Sequence, residues 1–99
     1  MEAAEFASAK ALDATREGPE LADRERHLIG IAVTATRGCQ ICTGSRIERA
    51  LQAGIPYESV RAAIDLTAAV NAGVTLRTAI SGAEQYNIDK LCTGNECKA

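Results

Sequence analysis

The chain has 99 residues, with 11 Lys and Arg against 13 Asp and Glu, for a formal net charge of −2. That is the size of one small domain, and its charge excludes the strong positive field of a nucleic-acid or membrane-attracted face. Three aromatic residues (Phe6, Tyr57, Tyr86) are too few for a base-stacking surface, and no run of 18 apolar residues is present to span a bilayer.

Apolar residues make up 46% of the chain, but 19 residues are alanine and only 20 are Leu, Ile, Val or Phe. Large side chains supply most of the burial energy, so a lone subunit is expected to have a thin core and to complete it against copies of itself. The opening stretch MEAAEFASAK has neither the basic start nor the apolar centre of a signal peptide. The expected location is the cytoplasm, where closely spaced cysteines are more often redox-active or metal-binding than structural.

No segment alternates over strand length and no Asn-Gly or Asp-Gly turn is present, so the expected fold class is all-α. A first helix is expected from about Glu2 to Thr15, with Phe6, Ala9 and Leu12 on one face, ended by Gly18-Pro19. Residues 1–19 thus form an N-terminal helical segment. Asp23 is a good N-cap for a second helix carrying Leu28, Ile31 and Ala35, with Ile29, Ala32 and Val33 widening the stripe. Gly38 suits its left-handed end. Gly30 sits inside this helix at a cost of roughly 1 kcal/mol relative to Ala, and a close backbone crossing is its expected reason.

A third helix starts at or just after Cys39, presents Ile41, Ile47, Ala50 and Leu51, and stops at Gly54. Pro56 suits the first turn of a fourth, long helix running to about Tyr86, with Ala68, Ala69, Ala72 and Gly73 as closely spaced small residues. Residues 87–99 form a tail holding Cys92 and Cys97.

The stretch Gly38-Cys39-Gln40-Ile41-Cys42-Thr43-Gly44-Ser45-Arg46 carries the chemistry. Two cysteines at i and i+3 at a helix start can close a disulfide across one turn. The helix N-terminus favours thiolate over thiol, and the thiolate is the nucleophile. Arg46 lies one turn beyond Cys42 and adds a fixed positive charge. Two rival readings stay open. One is a zinc or iron–sulfur site built from Cys39, Cys42, Cys92 and Cys97; the other is a chain without redox chemistry. His27 is equally readable as a packing residue, and Arg46 as an ion pair with Glu48, Glu58 or a neighbouring subunit.

The stretch from Arg24 to Gly54, with Arg-Glu-Arg-His-Leu-Ile-Gly-Ile-Ala-Val, Gly-Cys-Gln-Ile-Cys and Ala-Leu-Gln-Ala-Gly, resembles the carboxymuconolactone decarboxylase / alkylhydroperoxidase D (AhpD-like) family. The resemblance covers roughly residues 20–86. It implies an all-helical subunit that assembles as a homo-oligomer, a trimer or hexamer. It also implies a Cys39/Cys42 dithiol that reduces a hydroperoxide or relays electrons to a disulfide substrate, is restored by an external dithiol reductant, and needs no cofactor.

Redox-active members carry a glutamate twelve residues before the first cysteine and a histidine four after the second. Those positions are His27 and Arg46 here. Glu25, two residues earlier, points about 200° away on a helix and does not substitute. The resemblance implies Cys42 as the attacking thiolate and Cys39 as the resolving thiol; at the two replaced positions the residue types leave Arg46 to act by charge and His27 as the candidate proton acceptor. A non-redox decarboxylase-like relative is the remaining family alternative.

Overall fold

The computed structural model describes residues 1–91, and among these it contains α-helices and short 3-10 turns with no strand. The helices are α1 (Ala7–Arg16), α2 (Asp23–Thr36), α3 (Gln40–Gln52) and α4 (Tyr57–Gln85). The all-α expectation holds.

The first expected helix is interrupted. A single 3-10 turn, Ala3–Glu5, is closed by Glu5 accepting the Glu2 N–H at 3.1 Å, and Phe6 then adopts an extended backbone before α1 begins. Helix α2 starts at Asp23 itself. The expected cap residue instead pairs with Arg26 at 2.7 Å, while the Glu25 carboxylate reaches back to accept the Ala22 N–H at 2.8 Å. That contact is half of a capping box.

Residues 1–64 form one compact unit and the chain from Asp65 onward a second. The core of the first unit is small: Ile31, Ala50, Ile55 and Val60 are buried, with Leu28 and Ile47 packed against them. Each comes from a different stretch, so this cluster locks α2, α3 and the first turns of α4 together. Arg24 reinforces it by donating to Ser59 Oγ at 2.8 Å. Not every apolar position expected on these faces turns inward: Ile29, Val33, Ile41 and Leu51 are exposed.

Helices α2 and α3 each end in the same way. Gly38 and Gly54 take positive φ (77° and 90°). The next residue then donates to a carbonyl five positions back, Cys39 N–H to Thr34 O and Ile55 N–H to Ala50 O, both 3.1 Å. This is the Schellman arrangement, which reverses the chain in very few residues. Antiparallel packing of α2 on α3 follows from the first of these turns.

In the second unit α4 runs on from Asp65 to Gln85, then Asn87 at φ 52° leads into a 3-10 turn, Ile88–Leu91. None of these residues is buried, and large apolar side chains such as Leu66 (67% exposed), Val70, Val74, Leu76 and Ile80 face outward. No helix of the described residues is long and apolar enough to cross a membrane.

Candidate functional site

The turn that ends α2 also places the cysteines. Cys39 follows Gly38 directly, and its extended backbone makes it the N-cap of α3. A helix start has unpaired N–H groups, and one of them, Cys42 N–H, donates to Cys39 Sγ at 3.2 Å. Cys42 is one turn on, its Cα 5.3 Å from that of Cys39, and the two sulfurs are bonded to each other. Cys39 is half-buried and Cys42 exposed. Thr43 clamps this turn: its hydroxyl lies 2.7 Å from the Cys39 carbonyl oxygen and 3.0 Å from the Thr34 hydroxyl on α2.

Because α2 and α3 run antiparallel, positions further from the turn face each other in order. Thr34 meets Thr43 and Gly30 meets Arg46. The expected backbone crossing at Gly30 is absent. A methyl group there would collide with the Arg46 guanidinium, at 3.1 Å from Cζ and 3.4 Å from Cδ. Gly30 is therefore the bed on which the Arg46 side chain lies, at the expense of helix propensity.

The structure brings His27 and Arg46 into one place. Both line an open groove of about 460 Å³ between α1, α2 and α3, together with Arg16, Arg26 and Arg49. The side of Cys39 faces elsewhere, onto a separate shallow hollow of about 400 Å³ with Ala35, Gly38 and Thr43. The dithiol and the His27–Arg46 pair thus share α3, where Arg46 is one turn from Cys42, but not a single cavity.

Among the described residues the sole ion pair is Asp23–Arg26, so the alternative reading of Arg46 as paired with Glu48 or Glu58 is not met within the subunit. Arg26 also donates to the Gly18 carbonyl oxygen, which ties the connector after α1 to α2. Its Nε atom is buried and has no hydrogen-bond partner. Sequence reading missed Arg16, Arg26 and Arg49. The three-residue step from Arg46 to Arg49 put those two on one helix face, but the convergence of three helices on the groove left no local trace.

A metal centre finds no support in the described part. No group of three or more His, Cys, Asp or Glu that could hold an ion occurs among the described residues. Cys92 and Cys97, the other half of the four-thiolate reading, lie outside the described residues.

The profile of the Carboxymuconolactone decarboxylase family matches residues 2–85, a span that takes in α1 as well as the stretch that carries the resemblance in sequence. A crystal structure of a protein from Methanobacterium thermoautotrophicum is similar at 32% identity with a TM-score of 0.72, over 81% of this chain and 91% of that one. Among curated proteins none matches. With a helical fold shared and the whole of α1 to α4 matched, the chain belongs to the carboxymuconolactone decarboxylase family.

Proposed function

We propose that the chain is a dithiol–disulfide oxidoreductase that cycles between a Cys39–Cys42 disulfide and two thiols, with a hydroperoxide as the oxidant. The observation that carries this reading is the sulfur–sulfur bond across the first turn of α3, with Cys42 open to solvent. In the oxidising half, the Cys42 thiolate attacks the peroxide O–O bond, taking one oxygen as sulfenic acid and releasing the other as alcohol or water. The Cys39 thiol then attacks that sulfur, closes the disulfide and expels water.

In the reducing half, an external dithiol attacks the exposed Cys42 sulfur. A mixed disulfide forms and the Cys39 sulfur leaves. The Cys42 N–H already points at that leaving sulfur and stabilises the charge it takes up. The second thiol of the reductant then releases Cys42. Arg46 holds no proton to exchange and acts by charge alone, while His27, in the groove beside it and not in the hollow of Cys39, takes up the proton by way of solvent.

The bare apolar surface of α4 from Asp65 onward supports a second element of the reading. A helix apolar on all sides is normally covered, and Leu66–Leu76 contains no charged residue. Copies of the chain cover it, as the trimers or hexamers of the family imply.

The test is peroxide-dependent thiol loss, followed by peptide mapping under non-reducing conditions. Hydroperoxide is expected to convert the reduced pair to the Cys39–Cys42 peptide. Cys42→Ser is expected to abolish peroxide consumption, and Cys39→Ser to leave a trappable sulfenic acid on Cys42. Loss of activity in Cys39→Ser alone would reverse the two roles, and a pair that stays reduced under peroxide would remove the reading.

A further inference from the structure

The groove between α1, α2 and α3 lends the dithiol cycle only Arg46 and His27, and the rest of its lining is not used by that cycle. In a chain of net charge −2, four guanidinium groups (Arg16, Arg26, Arg46, Arg49) converge on it against the single carboxylate of Asp23. Three of them form no ion pair among the described residues. The fourth, Arg26, is paired with Asp23 and keeps a buried Nε atom without a hydrogen-bond partner. Like charges gathered without counter-charges repel, so an uncompensated cluster is a standing attraction for an anion. The guanidinium fork matches a carboxylate with two parallel hydrogen bonds.

The remaining lining is apolar. Leu12, Leu21 and Ile29 line it and are exposed to solvent. Its volume of about 460 Å³ lies within the range of small-molecule sites. Gly30 adds an independent sign of specialisation. Its missing side chain makes room for Arg46 to lie along α2, which fixes one donor at the groove wall instead of leaving it free in water.

We infer that this groove is a binding site for an amphiphilic organic anion, a carboxylate carrying an aliphatic body. The carboxylate sits between Arg46, Arg26 and Arg49, and the aliphatic part lies along Leu12, Leu21 and Ile29. The site shares Arg46 and His27 with the proposed cycle, but its ligand offers Cys42 nothing to reduce, so binding is read separately from peroxide consumption.

Octanoate titrated into the full-length protein tests the site, with 1-octanol as the neutral control. His27 is the only histidine and lines the groove, so its ring proton resonance reports binding there and not on the apolar surface of α4. Octanoate is expected to shift that resonance saturably and to bind about tenfold or more tighter than octanol, the scale of one charge-assisted hydrogen bond. Arg46→Gln and Arg49→Gln are each expected to weaken octanoate about tenfold and leave octanol unchanged. Arg49 is exposed, so its variant keeps the test decisive should Arg46→Gln perturb the fold. Gly30→Ala is expected to weaken octanoate as well, by displacing Arg46. Equal affinity for the two ligands, an unmoved His27 resonance, or arginine variants that bind as tightly as the parent protein each overturn the inference.

Discussion

Helix α4 belongs to two environments. Its first two turns carry Val60, 1% exposed, into the cluster formed with Ile31, Ala50 and Ile55. From Asp65 onward the same helix, with a comparable supply of Leu, Val and Ile, buries nothing. Composition alone does not separate the two stretches. In the first unit, two Schellman turns fold the chain back on itself within a few residues and supply neighbours to cover an apolar side chain. Beyond Ile64 no such turn occurs among the described residues until Asn87, and the large apolar side chains between them stay exposed. Burial follows the availability of a partner surface, not the hydrophobicity of the residue.

The largest expected effect tests the packed side of this contrast. Ile31→Ala removes a fully buried side chain at the centre of the first unit and is expected to cost about 2–5 kcal/mol in denaturant unfolding. Val74→Ala, 59% exposed within the subunit, is expected to cost less than about 0.5 kcal/mol in a dissociated subunit. A matching loss at Val74 under those dilute conditions would erase the distinction between the two stretches.

Paired charges sharpen the other side. Val70→Asp with Val74→Asp is expected to lower the mass measured by sedimentation to that of a monomer while retaining helical circular dichroism. An unchanged mass would remove α4 from the proposed subunit interface.

Smaller effects concern the glycines. Gly38→Ala places a side chain at φ 77° and is expected to cost about 1–2 kcal/mol, and to slow disulfide closure because Cys39 is positioned by that turn. Gly44→Ala, in α3 with nothing within 4 Å of the added carbon, is expected to stabilise by roughly 0.5–1 kcal/mol. Gly30 lies in an equally regular helix, yet alanine there is expected to bring little or none of that gain, because the methyl must push Arg46 aside. Calorimetric melting of the two alanine variants side by side separates helix propensity from the packing of one arginine.

Several of these features were written locally in the sequence. Helical periodicity, the helix-ending glycines at 38 and 54, and the two cysteines one turn apart at a helix start depend on neighbours within about five residues, and the structure keeps each of them. Phe6 broke the expected first helix and Asp23 moved from cap to first turn, where the Glu5 and Glu25 carboxylates accept the Glu2 and Ala22 N–H groups instead. The resemblance carried by Arg24–Gly54 extended legibility to the family itself.

Tertiary structure alone decided the rest. The reason for Gly30 was not a backbone crossing but a side chain sixteen positions away. The gathering of Arg16, Arg26, Arg46 and Arg49 around His27 joins three helices whose relative placement no periodicity encodes. The fall of Ile41 and Leu51 to the outside while Ala50 is buried was set by where α2 and α4 begin to cover α3. Local backbone preferences fix turns and caps, since they involve only a few adjacent dihedrals. Which apolar or charged side chains meet depends on long-range packing among many near-equivalent positions, and it is settled only when the helices dock.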